Sequence, residues 1–327
     1  MTKEVMEMPQ LNHPQVVTVT LNPAVDMFVY TNELTPGSLH RVKTPIQYPG
    51  GKGINVSKAL MAFGTSTLAV CIAGGKQGRW LEESLQGLGM KTAFVQTEIE
   101  TRMNLKIVES CGRLTEFNTQ VPELGRVEDL ETLQSILDRV LVPGDWVVLS
   151  GALPRTAPVD WYGRVVEHCK AHQIKTVLDT SGDALREGIQ ACPEVVKPNL
   201  VELEELVGRP LKSAEEVLTA AQQFIVQGVS TVLMSMGAEG LLVTSQEGMY
   251  RVQIPRVSVR STVGAGDTTV AGFLHATFSG MNFSDSLRFA AAAGTASVVN
   301  FGNGAPSLLE VEKVFQQVLV TRMEVAV

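Results

Sequence analysis

The run Val16-Val17-Thr18-Val19-Thr20-Leu21 is apolar and rich in β-branched residues, so it reads as a buried strand. After the glycines that follow Pro49, residues 54–63 take up helical spacing, and a strand-then-helix rhythm begins. Further apolar strands are predicted at residues 67–73, 146–150, 176–179, 195–197 and 231–235, separated by segments of helical periodicity. That alternation is the sequence form of an α/β fold with a mainly parallel sheet covered on both faces. Ligands in such sheets collect beyond the strand C-terminal ends. Asn22, Ser150, Ser181, Asn199 and Gly237 all stand there.

Residues 26–48 and 101–117 break the rhythm. Met103, Leu105 and Ile107 alternate as in a strand, with no helix between the strand-like segments. The two stretches are predicted to pair into a small β-sheet that covers the ligand crevice as a lid or joins two copies of the chain. Residues 16–25, 49–100 and 118–327 are then the α/β nucleotide-binding and catalytic domain. Residues 1–15, with Lys3, Glu4 and Glu7 and no apolar core, read as a flexible polar tail.

Composition narrows the function classes. Hydrophobic residues make up 44% and charged residues 19% of the 327, which supports a sizeable core and excludes disorder. Lys plus Arg number 27 against 34 Asp plus Glu, and the net charge of −7 gives no general attraction to nucleic acid or anionic membrane. An anionic substrate must then be held by local groups. Cys71, Cys111, Cys169 and Cys192 form no CxxC pair, which fits a reducing cytoplasm. The longest nearly apolar stretch, residues 289–299, falls short of the roughly 20 residues a bilayer span needs, so no membrane role is expected.

The chemistry centres on Ser261-Thr262-Val263-Gly264-Ala265-Gly266-Asp267, followed at once by the helix-like residues 268–278. Two glycines and an alanine let the backbone turn tightly and gather N–H groups, and the positive end of the following helix adds to them. Negative charge should settle there. Asp267 is placed to take a proton from a hydroxyl while the cradle stabilises a transferred phosphoryl group. That combination points to a kinase.

Pro49-Gly50-Gly51-Lys52-Gly53-Ile54-Asn55 is a second glycine motif before a helix, where backbone approaches a small ligand closely and Lys52 and Asn55 supply polar contacts. It is not a Walker loop, because Gly53 stands where Ser or Thr should follow the lysine. Nor do Gly264 and Gly266 complete a dinucleotide fingerprint, since Thr269 replaces the third glycine, and a nicotinamide dehydrogenase is the weaker reading. His168 and His172 sit at i and i+4 but lack a third ligand. Ser261 has no His and Asp partners at nucleophile spacing. The alanines at residues 290–293 read as tight helix packing in a core.

Together these stretches resemble the PfkB, or ribokinase-like, carbohydrate kinase family from about Val16 almost to the C-terminus. The motifs that carry the likeness are Thr20-Leu21-Asn22-Pro23-Ala24-Val25-Asp26, the glycine motif to Asn55, Thr101-Arg102-Met103-Asn104, Lys197-Pro198-Asn199 with Glu202, and the residues from Thr262 to Asp267. Leu21-Asn22-Pro23 and Gly51-Lys52-Gly53 mark the family's phosphosugar branch. The resemblance implies a three-layer α/β/α fold with a β-sheet lid, ATP and Mg²⁺ as cofactors, K⁺ as a candidate activator, and a homodimer joined through the lid.

The resemblance also implies roles. Asp26 would bind sugar hydroxyls, with Gly50, Gly51 and Asn55 lining the same pocket, while Lys52 and Arg102 hold the phosphate already on the substrate. Gly264, Ala265 and Gly266 would form the anion hole and Asp267 would be the base. Asn199 and Glu202 would organise Mg²⁺ through water, and Lys197 would touch the nucleotide phosphates. Ser235, Gly237 and Gly240 would meet the phosphates and ribose, and Asn300 the adenine. The implied reaction phosphorylates a ketohexose monophosphate, with fructose 1-phosphate first, tagatose 6-phosphate next and fructose 6-phosphate third. Ser38, where some family members carry a phosphate-binding lysine, sets that last place. A sugar-phosphate sensor on a degenerate scaffold is the non-catalytic alternative, and retention of Asp267 argues against it.

Overall fold

A computed structural model describes residues 16–299 and 304–323. The strands are β1 (Val16–Thr20), β2 (Ala24–Thr31), β3 (Ile46–Gly50), β4 (Thr67–Gly74), β5 (Lys91–Thr97), β6 (Arg102–Glu109), β7 (Leu114–Asn118), β8 (Trp146–Ser150), β9 (Lys175–Asp179), β10 (Val195–Val196), β11 (Thr231–Ser235), β12 (Leu241–Ser245), β13 (Gly248–Gln253) and β14 (Leu319–Met323). The helices are α1 (Lys52–Ala62), α2 (Gly75–Gly87), α3 (Val127–Val140), α4 (Trp161–Ala171), α5 (Gly182–Gln190), α6 (Leu200–Val207), α7 (Ala214–Gln227), α8 (Ala265–Phe278), α9 (Phe283–Ser297) and α10 (Leu308–Phe315). Each strand expected from apolar periodicity forms. The tail at residues 1–15 lies outside the described residues.

The large sheet has the order β14-β13-β12-β11-β10-β9-β8-β1-β4-β5. It is parallel from β11 to β5 and antiparallel from β11 out to β14. The antiparallel extension was not anticipated, because hairpin strands next to loops such as residues 236–240 do not show the strand–helix alternation. Side chains alternate across each strand and so build two cores. On one face Val17, Val19, Val147, Leu149 and Leu178 pack with Leu133, Tyr162, Leu185, Leu203 and Leu218 of α3 to α7. On the other, Val16, Val148, Val177 and Leu233 meet Val56, Leu60, Leu274, Ala290 and Val311 from α1, α8, α9 and α10. Burial on both faces is why these strands read as continuous apolar runs.

The strand order reverses at β1, whose neighbours are β4 and β8. A crevice opens there, beyond the strand C-terminal ends. A four-stranded sheet of order β3-β2-β6-β7 grows from this edge, with β2 and β6 parallel and both outer pairs antiparallel. It uses the two stretches that interrupted the alternation, although β2 begins at Ala24 and β3 ends at Gly50.

Helix α1 begins two residues before the periodicity predicted, since Asn55 N donates to Gly51 O at 2.9 Å and draws Lys52 and Gly53 into the first turn. A buried hydroxyl chain fixes that helix to the sheet: Thr18 Oγ1 and Ser57 Oγ lie 2.8 Å apart, as do Ser57 Oγ and Thr67 Oγ1. Gly53 allows the close approach, because a Cβ there would lie 2.5 Å from Thr20 Oγ1. Helices α8 and α9 pack as tightly as the alanine run suggested. A Cβ on Gly272 would lie 2.7 Å from Ala293 Cβ and 3.1 Å from Ala290 Cα. Among the described residues no helix is long and apolar enough to cross a membrane. Gly272→Ala must therefore push two backbones apart, an overpacking that costs about 1–3 kcal/mol. A denaturant midpoint equal to wild type would show that α8 and α9 separate freely.

Candidate active site

The first turn of α8 supplies the centre of the crevice. Gly264 precedes the helix in the left-handed region at φ 78°, a conformation that favours glycine, and so turns the chain into α8. The Ala265 amide donates back to Thr262 O at 3.3 Å, while the next intrahelical bond runs from Thr268 N to Gly264 O at 2.8 Å. Between them, the Gly266 and Asp267 amides meet no acceptor among the described residues. The amides left open at this helix start are thus those of residues 266 and 267, while Ala265, expected to share an anion hole with Gly264 and Gly266, turns its amide into its own loop. Helix-start amides left in this way form a ready anion site.

Asp267 is buried, and its Oδ2 accepts a 2.8 Å hydrogen bond from Asn55 Nδ2 of α1. Burial raises its carboxyl to about 6, helped by the charge of Asp179 and opposed by Lys52, the Asn55 bond and Lys197. A carboxyl so placed accepts a proton near neutral pH.

Lys52 begins α1 and donates to Asp179 Oδ1 at 3.0 Å. Lys197, just beyond β10, places its ammonium 3.3 Å from the same oxygen. Burial works against ionisation of Asp179, yet the Lys197 and Lys52 charges outweigh it and hold its carboxyl below the usual range. In return Asp179 raises the Lys52 ammonium, against the burial that opposes it. Lys52 therefore contacts the end of β9. Its sequence-based partner in phosphate binding, Arg102, contacts a different set.

Arg102 starts β6 and donates through Nε to Asn22 Oδ1 at 2.8 Å and through Nη1 to Asn104 Oδ1 at 3.0 Å. Burial lowers its guanidinium while the Asp26 charge opposes that. Parallel pairing sets Asp26 opposite Asn104. Asp26 Oδ1 accepts from Asn104 Nδ2 at 2.9 Å, and Oδ2 from Lys106 Nζ at 3.2 Å. A Cβ on Gly50 would lie 2.7 Å from Asp26 Oδ2, so glycine keeps this carboxylate in place. Gly51, at φ 123°, lies close against Thr20 and Pro23 and starts the turn into α1. Lys58, one turn beyond Asn55, is buried and donates to Pro49 O at 2.8 Å. Burial lowers its ammonium to about 8.

Asn199, expected to lie on the nucleotide side, caps α6 in a reciprocal box. Glu202 N donates to Asn199 Oδ1 and Asn199 N to Glu202 Oε2, both at 2.9 Å. Asn199 and Ser235 are bridged across parallel chains. The loop after β11 makes one 3₁₀ turn, Gly237–Glu239, with Gly237 at φ 58° and Gly240 at φ 89°. Gly240 passes so near the Val252 carbonyl that a Cβ would lie 2.1 Å from its oxygen. Asn300 lies outside the described residues. Among the described residues no group of three His, Cys, Asp or Glu could hold a metal ion. The remaining lone pairs of Asn199 and Glu202 fit a metal held through water and substrate phosphates, as Mg²⁺ commonly is.

Sequence reasoning passed over Asp179, Lys106 and Lys58, and it named Asn104 within a motif without giving it a role. Asp179 had a signal, a carboxylate closing an apolar strand at the sheet's C-terminal edge. Lys106 had a weaker one, two residues beyond Asn104 and so on the same strand face.

Residues 18–309 match the model of the pfkB family carbohydrate kinases. A 1-phosphofructokinase of Bacillus subtilis (strain 168) is 35% identical over 312 residues, covering 94% of this chain and 100% of that protein. Phosphofructokinase-2 from Escherichia coli, solved in complex with substrates and products, superposes with a TM-score of 0.87 at 30% identity, covering 93% of this chain and 99% of that one. Its complex with potassium gives the same TM-score at 29% identity with the same coverage. The crevice at the edge of the parallel sheet, the small sheet beside it and the α8 cradle thus sit in a chain that belongs to the pfkB family of carbohydrate kinases.

Proposed function

We propose that the protein transfers the γ-phosphoryl group of ATP to a ketohexose monophosphate, with fructose 1-phosphate as substrate and fructose 1,6-bisphosphate and ADP as products. The observation that carries this reading is the pairing of a buried carboxylate with open helix-start amides: Asp267 Oδ2 held by Asn55, beside the Gly266 and Asp267 N–H groups. The relatives' names support the choice of fructose 1-phosphate, since three 1-phosphofructokinases are 33–35% identical over most of the chain.

Asp26, with both oxygens oriented by Asn104 and Lys106, accepts sugar hydroxyls and fixes the ring against the cradle. Arg102, oriented by Asn22 and Asn104, donates its remaining N–H groups to the substrate's own phosphate, which its planar fork matches. Lys52 and Lys197 meet the phosphates of the nucleotide. Asp267 then takes the proton from the attacking hydroxyl as its oxygen bonds to the γ-phosphorus. The bond to the β-phosphate oxygen breaks, and the cradle amides stabilise charge on the migrating group. Mg²⁺, organised through water by Asn199 and Glu202, supplies charge neutralisation on the nucleotide phosphates when bound.

The small sheet acts as a lid, and exclusion of water keeps the phosphoryl group from hydrolysis. Its exposed apolar residues, including Leu39, Ile46 and Phe117, suit a homodimer joined through the lid. K⁺ is a candidate activator, in keeping with the potassium complex of the Escherichia coli enzyme. Four unpaired cysteines fit a cytoplasmic setting.

In a coupled ADP-release assay, fructose 1-phosphate should give the highest kcat/KM, ahead of tagatose 6-phosphate and fructose 6-phosphate. Turnover of an unphosphorylated sugar or nucleoside in place of all three would remove the phosphate-binding role of Arg102. Asp267→Asn should lower kcat on the order of 10² to 10⁴, the span of general-base catalysis. Near-normal turnover in a folded variant rules that residue out as the base. Because the base works only when ionised and its carboxyl is raised to about 6, kcat/KM should fall about tenfold per pH unit below that value. A profile still flat at about pH 5 would locate the base elsewhere.

A further inference from the structure

Asp179 closes β9 at the crevice edge and is fully buried. Neither proton removal by Asp267 nor sugar recognition by Asp26 requires it. Buried carboxylates persist where cations compensate them, and here two do so on a single oxygen: Oδ1 takes Lys52 Nζ at 3.0 Å and Lys197 Nζ at 3.3 Å. Oδ2 is also buried and meets no partner among the described residues. The two lysines come from separate elements, one opening α1 and the other following β10. Each borders the cradle by a separate observation. A Cβ on Gly266 would lie 3.0 Å from Lys197 Nζ, so the ammonium rests where glycine leaves room. Lys52 feels the Asp267 charge and keeps its side chain 39% exposed, reaching the open crevice from a wholly enclosed anchor.

We propose that Asp179 is a positioning residue for phosphoryl transfer: its Oδ1 gathers the ammonium groups of Lys52 and Lys197 beside the residue 264–267 cradle, so that the incoming triphosphate meets two cations already in place. The proposal rests on the kinase reading above. An unanchored lysine must give up rotamer freedom when it engages phosphate, and a misplaced one engages it poorly. One oxygen shared between two ammoniums orders both, while leaving each with donors free for phosphate oxygens. Asp179 also acts on the base by charge. The charged groups around the Asp267 carboxyl are Lys52 and Lys58 from α1, Asp179 from β9 and Lys197 after β10, with Asn55 as a neutral donor. Of these, Asp179 is the one that opposes ionisation of Asp267.

The test is Asp179→Asn, measured for kcat, for KM of the sugar phosphate, for the pH dependence of turnover and for ¹⁵Nζ relaxation of Lys52 and Lys197. Turnover should fall about 10²-fold, the loss that accompanies misplacement by about 1 Å. KM for the sugar phosphate should change less than about threefold, because Asp26 and Arg102 are untouched. The acid limb should move to lower pH, since a charge that disfavoured the ionised base is gone. A merely structural residue would not move that limb. Both ammoniums should become more mobile. Wild-type turnover, an acid limb that stays or rises, or unchanged ammonium order would each overturn the proposal. If Asp179→Asn does not fold, the double variant Asp179→Asn/Lys197→Met removes one charge of each sign. It should fold and still turn over slowly, and wild-type turnover there would again overturn the idea. If the wild type phosphorylates none of the ketohexose phosphates, the kinase reading fails by itself. The relaxation measurement then judges the anchoring of the two lysines without reference to activity.

Discussion

The hydrogen bond from Asn55 to Asp267 joins the first turns of two helices whose starts lie more than two hundred residues apart in the chain. The proposed base and its hydrogen-bond donor meet only because those helices arrive side by side with their N-termini at one edge. The parallel sheet makes that possible, because each crossover returns the chain to the same end and so every βα junction opens into the same crevice. Close packing then removes the slack. The hydroxyl chain through Thr18, Ser57 and Thr67 fixes α1 on the sheet, and the contact at Gly272 fixes α8 on α9. Neither set of residues touches a reacting atom, yet both determine where Asn55 and Asp267 stand. A carboxylate this deeply buried is sensitive to small changes in its neighbours, since the same enclosure that raises its carboxyl strengthens every charge around it.

The small sheet follows a different logic. Its parallel β2–β6 pair sets Asp26 beside Asn104, and the two residues bring Arg102 and Lys106 into one polar network. Lys106 is almost wholly buried, with the Phe28 ring 5.4 Å from its ammonium and the Asp26 carboxylate 3.2 Å away. A pair so enclosed gives orientation more surely than stability, because desolvation consumes much of its Coulomb attraction. Orientation is what sugar recognition requires: the hydroxyls of ketohexose phosphates differ in direction more than in kind. On the proposed reading, substrate choice rests largely on this sheet, while the transfer groups stand at the starts of α1 and α8.

The fold was legible because its evidence is periodic. Strands such as Trp146–Ser150 and Thr231–Ser235 are apolar on both faces, and no long-range information is needed to recognise them. The antiparallel strands from Leu241 to Gln253 escaped because their partners follow after tight turns, where the alternation with helices disappears. The turn at Gly264 and the helix that begins beside Asp267 were legible because their signal is local, a glycine turn followed by a helix. Asp179 was not, because its meaning lies in two lysines that reach it from residues 52 and 197. Lys52 was expected to hold the substrate's phosphate together with Arg102, and its carboxylate partner Asp179 was not foreseen. Sequence shows that a lysine follows two glycines, whereas only the assembled crevice shows which carboxylate it reaches.

The charges of the crevice explain why that pairing matters. Lys52, Lys58 and Lys197 stand against Asp179 and Asp267, so neither buried carboxylate is left without cations. That compensation avoids the cost of isolated buried carboxylates while no nucleotide is present. Entry of a triphosphate changes the balance. The two ammoniums then have more numerous anionic oxygens to engage, and Asp179 must share them. Asp267 gains nothing from those phosphates, whose charge disfavours its own, and its tendency to accept a proton rises as they arrive. On the proposed reading of Asp267 as the base, nucleotide binding thus strengthens it through the same charges that hold the crevice together beforehand.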